Sequence, residues 1–401
     1  MRILHTSDWH LGRTLEGRSR AGEQEAMLEE IASLVEECRI DMLLVAGDVF
    51  DAYNPPAAAE EMYYHYLERF ASAGRTAVVV AAGNHDSPER IRAANPLAVR
   101  HGISLFGLPG ERLGTTAPVG RIRRIDAGLG WTDIRIADEV VRIVVLPYPS
   151  EVRLGEVLSR EMDAEIRRAA YSDRVAALLR SALDERPTCS PRLMMGHIYV
   201  AGGSESESER PIHIGGALTV DRDAIPPEFS YVALGHLHRP QRVGRNEKCR
   251  YSGSPLAFSF SETGDSREVV MVDLQPDGDA EVERIPLSCG RPLLRRRVRG
   301  WEELTRVVED AEGAWLQVDV ELDEPLSPAQ LGELRRENPH VVIIRVLLPQ
   351  SEAGEDRKPL TELSLQERFA RFYAEREGGD PPEELVDLFL QLVQREEGEE
   401  Q

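Results

Sequence analysis

Short apolar runs recur along the first 275 residues, and each run ends in a small group of polar residues. The runs are rich in β-branched residues, and a segment with helical periodicity often follows the polar group. The runs cover residues 2–5, 42–46, 77–82, 141–146, 193–195, 231–234 and 268–274. Because strands that alternate with helices usually pair in parallel, this pattern predicts an α/β domain over residues 1–275.

The pattern changes over residues 276–350, where two helical segments alternate with two β-branched runs. Ser327 precedes the second helical segment and is a typical N-cap residue. The predicted elements are a helix over 301–312, a strand over 314–320, a helix over 328–337 and a strand over 341–348. We therefore predict a small, separate α/β domain here.

The acidic tail, residues 351–401, still contains two amphipathic helical patterns. Ser364 and Glu367 have capping-box spacing, and aromatic residues follow on one helical face. The first apolar stripe contains Phe369, Phe372 and Tyr373, and the second contains Leu385, Leu388, Phe389, Leu392 and Val393. This helical pair packs back on the preceding domain or binds another chain.

Composition excludes several classes of protein. The chain has 401 residues, with 70 acidic against 48 basic residues and a net charge of −22, so it is not a freely basic DNA-coating protein. No apolar run approaches the length of a membrane span, and the first residues turn polar too early for a signal peptide. The four cysteines lie far apart, as in reduced proteins. We expect a cytoplasmic protein.

Lysine is almost absent, since Lys248 and Lys358 are the only two in the chain. GC-rich codon usage and adaptation to high salt both explain this bias. Neither lysine follows a glycine, so the chain lacks the Gly-Lys pair of a phosphate-binding Walker A loop. Any dependence on ATP must therefore come from a partner.

Five polar clusters follow the apolar runs and contain half of the ten histidines. Alone, each cluster is ordinary turn chemistry or surface polarity, but strand ends on one side of an α/β sheet converge on a ligand crevice. The glycines before several of these residues allow sharp turns and close approach to an ion or phosphate. The ligand-type residues are Asp8, His10, Asp48, Asn84, His197, His236 and His238. Imidazole, carboxylate and amide groups suit Mn²⁺, Fe²⁺ or Zn²⁺, and seven ligands suit two ions with one bridging carboxylate.

These clusters match, in order, the motif set of calcineurin-like metallophosphoesterases: Asp8-x-His10, Gly47-Asp48, Gly83-Asn84-His85-Asp86, Gly196-His197 and Gly235-His236-x-His238. Within that superfamily, residues 6–12, 47–51 and 251–255 resemble the SbcD family of bacterial nuclease subunits. The resemblance implies a metallophosphoesterase β-sandwich flanked by helices, a small α/β capping domain over 276–350 and a C-terminal helical pair over 351–401.

The resemblance also implies a role for each motif residue. One metal would be held by Asp8, His10, Asp48 and His238, and the other by Asp48, Asn84, His197 and His236, with Asp48 as the bridge. His85 matches a catalytic histidine that is not a ligand and that contacts the phosphate and assists the leaving oxygen. The implied cofactors are two divalent metal ions, with Mn²⁺ as the expected ion. Relatives often carry histidine at the position of Asp51, so no role is transferred to Asp51.

The function implied is that of a Mn²⁺-dependent DNA nuclease, a 3′–5′ double-strand exonuclease and a single-strand or hairpin endonuclease. It would act with the ATPase SbcC in DNA repair, recombination and replication, bind SbcC through the C-terminal helices, and form a homodimer within an SbcCD heterotetramer. Two alternatives remain. The first is a phosphatase or phosphodiesterase of the same superfamily, although the Gly-Asp-x-x-Asp-Arg pattern of protein phosphatases is absent at residues 47–51. The second is a catalytically vestigial DNA-end scaffold, although all seven ligands are present.

Five arginines fall within residues 291–299. This segment is either a connecting strand exposed to solvent or a contact for the phosphate backbone of DNA. Because the whole chain is acidic, we expect it to bind DNA weakly without its partner.

Overall fold

Strands and helices alternate through most of this computed structural model, which describes residues 1–155, 164–185, 191–206, 208–209, 218–348, 364–377, 381–382, 385–386 and 389. The strands are β1 (Arg2–Thr6), β2 (Thr14–Leu15), β3 (Arg18–Ser19), β4 (Met42–Ala46), β5 (Ala77–Ala81), β6 (Ile103–Phe106), β7 (Ile122–Gly128), β8 (Trp131–Ile136), β9 (Glu139–Leu146), β10 (Arg192–His197), β11 (Tyr199–Val200), β12 (Thr219–Val220), β13 (Tyr231–Gly235), β14 (Gln241–Val243), β15 (Asn246–Tyr251), β16 (Glu268–Leu274), β17 (Ala280–Pro286), β18 (Leu293–Arg299), β19 (Trp315–Glu321) and β20 (Val341–Leu347). The helices are α1 (Ala21–Glu37), α2 (Ala57–Ala71), α3 (Pro88–Ala93), α4 (Asn95–Ala98), α5 (Glu151–Leu154), α6 (Ala164–Asp184), α7 (Gly300–Asp310), α8 (Pro328–Glu337) and α9 (Leu365–Glu377). Short 3₁₀ turns cover Val99–His101, Arg222–Ala224 and Phe260–Glu262.

Two large sheets face each other in the first part of the chain. The six-stranded sheet has the order β17-β16-β1-β4-β5-β6, and the seven-stranded sheet has the order β14-β15-β13-β10-β9-β8-β7. In the first sheet β1, β4, β5 and β6 are parallel, and in the second β9, β10, β13 and β15 are parallel. The strand ends that carry the polar clusters therefore point to one edge of each sheet.

The apolar runs are continuous because their strands are buried on both faces. Leu44 and Val79 pack against Ile143 and Leu193 of the opposite sheet, which makes the layer between the sheets. The outer face of the first sheet is covered by α1 and α2, and that of the second by α6. The predicted β-sandwich flanked by helices is confirmed.

Several strands lie outside the predicted pattern, among them β6, β14 and β15 as well as β7, β8 and β17. β7 and β8 pair at the edge of the second sheet, and their charged residues interrupt any apolar run. β17 pairs along its whole length with β16, so the first sheet extends beyond residue 275. The sequence boundary at 275 thus falls within a β-hairpin.

A small three-stranded parallel sheet, β18-β19-β20, follows with α7 and α8. Its own apolar cluster includes Val298, Leu304 and Val318. As predicted, Ser327 caps α8: its hydroxyl accepts a hydrogen bond from the backbone N–H of Gln330 at 3.3 Å. The Trp315 indole N–H donates to Glu23 Oε1 at 2.8 Å and so ties this sheet to α1.

The arginine-rich segment becomes β18, and its exposed side chains pair with carboxylates on the neighbouring strand β19. Arg295 lies 3.3 Å from Asp319, and Arg297 and Arg299 lie 2.7 Å and 2.8 Å from Glu321. These three arginines share two carboxylates, so their positive charge is partly offset within the sheet.

The chain divides into two units, Met1–Leu347 and Leu348–Gln401. In the second unit, Ser364 and Glu367 form the predicted capping box at the start of α9. The Phe369 ring stacks on Phe389 with centroids 4.2 Å apart, so the two predicted apolar stripes meet at this pair. Leu388, Leu392 and Val393 lie outside the described residues. No helix in the described parts of the chain is long and apolar enough to cross a bilayer.

Candidate metal centre

Five strand ends converge at one edge of the sandwich. Asp8 and His10 follow β1, Asp48 follows β4, Asn84 follows β5, His197 ends β10, and His236 and His238 follow β13. Each strand is parallel to a neighbour in its sheet, so the carboxyl ends meet where the two sheets approach. The structure therefore brings all seven predicted ligand residues to one place.

The backbone turns sharply at four of these residues. The φ angles of Asp8, His10, Asp48 and His236 are 54°, 46°, 50° and 108°. Residues with side chains rarely adopt positive φ, and such strain concentrates at functional sites. The turns are fixed by backbone hydrogen bonds, since Asp8 N–H donates to Gly47 O at 2.9 Å and His10 N–H donates to Asp48 O at 3.0 Å.

Two glycines of the motifs are required by close packing within the site. A Cβ atom at Gly47 would lie 2.2 Å from His197 Nδ1, and one at Gly83 would lie 2.1 Å from Asp48 Oδ1. Gly47 also has a φ of +92°. These glycines make room for ligand side chains, whereas the sequence predicted room for an ion or phosphate.

The first cluster consists of Asp8, His10 and His238, whose ligand atoms all lie within 4.8 Å of one another. His10 Nε2 and His238 Nε2 face each other at 3.1 Å. All three side chains are buried. Two imidazoles and a carboxylate in this arrangement can hold one divalent ion.

The second cluster consists of Asp48, His197 and His236, again with ligand atoms within 4.8 Å of one another. The Asn84 side-chain carbonyl lies between the two rings, with Oδ1 2.9 Å from His197 Nε2 and 3.0 Å from His236 Nδ1. The predicted fourth ligand is thus adjacent to both histidines.

Asp48 stands between the clusters. Its Oδ2 lies 3.6 Å from His10 Nε2 and 3.4 Å from His197 Nε2. Its Oδ1 accepts a hydrogen bond from the His85 backbone N–H at 2.9 Å. One carboxylate oxygen therefore faces ligands of both clusters, as a bridge requires.

The contacts of His197 show that the second cluster fits a cation. His197 Nδ1 lies 2.9 Å from the Ala46 carbonyl, which can only accept, so Nδ1 carries a proton. Nε2 then faces the oxygens of Asn84 and Asp48. Burial would lower the pKa of His197, but the Asp48 carboxylate raises it to about 9. This position attracts positive charge, which is the electrostatic requirement of a metal site.

Burial acts on the other ligands as well. It raises the pKa of Asp8 to about 6 and lowers the pKa of His10 to about 3. Burial would raise the pKa of Asp48, but the neighbouring His197 and His85 lower it well below its ordinary value. Neutral His10 and ionised Asp48 are the forms that bind metals.

His85 lies beside the two clusters. Its Nδ1 is 2.7 Å from the Asp51 carbonyl oxygen, so this nitrogen donates, and its Nε2 is 4.0 Å from Asp48 Oδ2. The Asp51 carboxylate lies 3.4 Å from His10 Nδ1. His10, Asp51 and His85 form a third group with ligand atoms within 4.8 Å.

The family follows from comparison with known proteins. Residues 1–240 match the calcineurin-like phosphoesterase family, and residues 289–377 match the type 5 capsule protein repressor C-terminal domain. The chain is 39% identical to the SbcD subunit of the Bacillus subtilis nuclease SbcCD, over 100% of both chains. It is 34% identical to the SbcD subunit of Rhodobacter capsulatus, over 82% of each chain. The chain belongs to the SbcD family of calcineurin-like phosphoesterases. The Escherichia coli K12 member of the SbcD family is 29% identical, over 100% of this chain and 99% of its own.

Membership of the SbcD family confirms the resemblance stated from the motifs. It also makes the chain a metal-dependent phosphoesterase, a hydrolase that uses divalent ions. The buried donor sets of this SbcD-family chain fit such ions, since each cluster combines imidazole nitrogens with a carboxylate.

Two supporting residues of this SbcD-family chain were not assigned from the sequence. The Asp86 carboxylate accepts hydrogen bonds from the backbone N–H groups of Val49, Phe50 and Gly83 at 3.1, 2.9 and 2.7 Å, and so joins two of the motif loops. Arg153 donates to the carbonyls of Gly83 and Asp86 at 2.8 and 2.7 Å. Asp86 belongs to a motif and could have been found, whereas Arg153 carries no sequence signal.

The Ser-Glu stretch near residue 206 also reaches the site. Glu209 Oε1 accepts a hydrogen bond from the His238 backbone N–H at 2.8 Å, and the Ser208 hydroxyl contacts the His238 ring. The alternating serines and glutamates of this stretch are typical of a solvated loop, so the sequence gives no sign of these contacts.

Proposed function

We propose that this chain is the nuclease subunit of an SbcCD-type complex and that it cleaves phosphodiester bonds in DNA with two Mn²⁺ ions. The observation that supports this most directly is the position of Asp48, whose Oδ2 faces both buried ligand clusters while His85 lies beside it. The relatives named as SbcD subunits of the nuclease SbcCD support DNA as the substrate.

The proposed ligands of one ion are Asp8, His10, Asp48 and His238, and those of the other are Asp48, Asn84, His197 and His236. When bound, the ions would supply an activated water and neutralise the negative charge that develops on the phosphate. The chain's own contribution is to hold these donors rigidly in a buried site, through the strand ends and the Asp86 hydrogen bonds.

His85 is the proposed catalytic residue. Because its Nδ1–H donates to the Asp51 carbonyl, the ring is fixed with Nε2 facing the site. A proton on Nε2 can then be donated to the leaving 3′ oxygen, and a general acid of this kind typically contributes roughly 10²–10⁴-fold in rate.

The partner proposal concerns the C-terminal helices. Phe372 of α9 is 57% exposed, and an exposed aromatic side chain on an amphipathic helix supports a contact with another protein. We propose that the domain predicted over residues 1–275, which β17 completes, carries the chemistry, that the remainder of residues 276–350 caps the site, and that residues 351–401 bind the ATPase SbcC in the cytoplasm. Deletion of residues 360–401 should abolish recovery of the ATPase complex, and an intact complex would refute this assignment.

We also propose a homodimer within an SbcCD heterotetramer. Tyr64 on α2 and Leu97 on α4 are 42% and 67% exposed, so both helices present apolar side chains to solvent. Light scattering should give the mass of a dimer for the wild type and of a monomer for Leu97→Asp. Dimers in both proteins would remove Leu97 from the interface.

The deciding experiment is a nuclease assay with Mn²⁺, for the chain alone and with SbcC plus ATP. The substrates are end-labelled duplex DNA, hairpin DNA and bis-p-nitrophenyl phosphate. DNA cleavage that the partner enhances, with 3′–5′ products on duplex and opening of hairpins, supports the proposal.

The alternatives give different results in the same assay. Turnover of the small ester without DNA cleavage would assign the chain to the phosphatases of the superfamily. DNA binding without turnover of any substrate would indicate a vestigial scaffold.

A further inference from the structure

The side of the His238 ring that faces away from His10 contacts two buried polar side chains in sequence, Ser208 and Glu262, which come from two other segments. His238 Nδ1 contacts the Ser208 hydroxyl, and the same hydroxyl contacts Glu262 Oε1. Ser208, His238 and Glu262 are 7%, 1% and 1% exposed. A carboxylate buried this deeply needs strong partners to remain ionised.

Glu262 is held in its ionised form by Arg267. The Arg267 guanidinium lies 2.9 Å from Glu262 Oε2, and the Phe258 backbone N–H donates to the same oxygen at 3.3 Å. Arg267 also donates to Ser254 Oγ at 2.9 Å, so the guanidinium is itself fixed. Glu262 Oε1 is thereby left for serine hydroxyls: it contacts that of Ser208 and lies 3.4 Å from that of Ser206, while His238 Nδ1 is 3.8 Å away.

The hydrogen-bond donors and acceptors of Glu262, Ser208 and His238 determine where the protons lie. An ionised carboxylate only accepts, so the single hydroxyl proton of Ser208 is donated to Glu262. The Ser206 hydroxyl, 2.9 Å from Ser208 Oγ, is the weaker acceptor because it is neutral. Toward His238 the Ser208 oxygen can then only accept, so His238 Nδ1 carries the proton. His238 Nε2 is left with its lone pair directed at the first cluster, 3.1 Å from His10 Nε2.

We propose that Glu262, acting through the Ser208 hydroxyl, is a positioning residue that fixes the tautomer of His238 in which Nε2 is a metal ligand. The inference rests on the proposed metal centre and adds two residues to it from outside the family motifs. Hydrogen-bonded groups behind a ligand histidine orient its ring and set its tautomer, and their loss typically weakens metal binding by roughly 10–100-fold.

The first test is calorimetric titration of the purified full chain with Mn²⁺. Ser208→Ala removes the hydroxyl that links Glu262 to His238 and keeps the Glu262–Arg267 pair. The affinity for one of the two Mn²⁺ ions should therefore weaken by roughly 10–100-fold. Ser208→Thr restores a hydroxyl and should restore the affinity. The matched control is Ser204→Ala, whose hydroxyl lies in the same stretch and contacts Arg239 at 3.3 Å. It should bind both ions as the wild type does.

The outcomes separate this inference from the proposed function. If the wild type binds no Mn²⁺, the proposed metal centre fails. If the wild type binds two ions and Ser208→Ala binds both with the affinities of the wild type, the Ser208 hydroxyl has no role in metal binding and the inference is overturned.

A second measurement does not depend on whether a variant at Ser208 folds. Nitrogen-15 NMR of histidine side chains in the metal-free wild type reports the tautomer of each ring, and the His238 signals are those lost in His238→Gln. A proton on Nδ1 is the expected result. A proton on Nε2 alone would overturn the inference even if Ser208→Ala failed to fold.

Discussion

The metal centre and strand β18 are both dense in charged or metal-binding side chains, but the structure treats them in opposite ways. In β18 the arginines are exposed, and Arg295, Arg297 and Arg299 pair across the sheet with Asp319 and Glu321 of β19. At the metal centre the donors are buried, and the oxygens of Asn84 and Asp48 converge on the Nε2 of His197. The exposed arginines of β18 have carboxylate partners in their own sheet, whereas the buried donors of the metal centre converge where a cation would bind.

This difference shows that the density of charged residues in a sequence does not identify a binding site. The neighbours that the fold supplies decide whether charges are satisfied. The register of β18 against β19 places carboxylates beside the arginines, so the segment favours the interpretation as a connecting strand. The turns after β1, β4 and β13 instead bring buried carboxylates and imidazoles together within ligand distance of one another.

The largest expected effect comes from removing the charge that the two clusters share. Asp48→Asn keeps the size of the side chain but removes the anionic oxygen between His10 and His197. Both ions should be lost, and cleavage should fall by more than the roughly 10²–10⁴-fold typical of a general acid. Bound Mn²⁺ per chain, measured after gel filtration, checks this. Asp279→Asn, an exposed carboxylate paired with Lys248, is the control. Retention of both ions in Asp48→Asn would contradict the bridge.

His85→Gln should separate chemistry from metal binding. The variant lacks the proton donor but keeps every proposed ligand, so DNA cleavage should fall by roughly 10²–10⁴-fold with unchanged Mn²⁺ content. Single-turnover cleavage together with metal analysis checks both quantities. The exposed His65→Gln is the control and should behave as the wild type. Wild-type cleavage by His85→Gln would remove His85 from the mechanism.

The pH dependence of metal binding should sharpen the comparison further. Because the pKa of metal-free His197 is raised to about 9, a proton must leave this ring before a metal binds. Mn²⁺ affinity should therefore rise with pH and level off near pH 9, by up to about tenfold per pH unit for one displaced proton. Calorimetry in buffers of different ionisation enthalpy measures the protons released. An affinity that is constant between neutral pH and pH 9 would contradict the charge balance described for His197.

The smallest effect is expected at β18. Since Arg297 and Arg299 already pair with Glu321, Arg297→Ala should change the DNA dissociation constant by less than about twofold. Glu321→Gln frees both guanidinium groups and should tighten DNA binding and steepen its salt dependence. Fluorescence anisotropy at two salt concentrations measures both. A large loss of affinity in Arg297→Ala would show that β18 contacts DNA directly.

Much of the fold and most of the site follow from periodicity in the sequence. Strands β1, β4, β5, β10 and β13 are buried on both faces and read as continuous apolar runs, and each ligand stands at or just after the end of such a run. Strands β7 and β8 were not predicted because charged residues interrupt them: Arg123 and Arg135 are exposed, and the buried Asp133 pairs with Arg142 on β9. The strand β17 was missed for a similar reason, since most of its residues are partly or fully exposed.

The supporting groups could not be predicted from the sequence. Glu262 is one of 70 acidic residues, and nothing in its local pattern distinguishes it. Its role arises only when the chain brings it to Ser208, which lies in a stretch of ordinary solvated composition. Contacts between segments far apart in sequence depend on loop paths, and hydrophobic periodicity does not encode these paths.

The packing around Gly47, Gly83 and Gly235 bears on how inactive relatives would be recognised. A Cβ atom at Gly235 would lie 1.9 Å from the Ala46 carbonyl oxygen, and those at the other two would meet His197 and Asp48. In a relative of this chain, a single glycine-to-alanine change at one of these positions would therefore displace metal ligands, although the sequence would still contain all seven ligand residues. Counting intact ligands would classify such a relative as active, so surveys for lost catalysis in this family need to read the glycines as closely as the histidines.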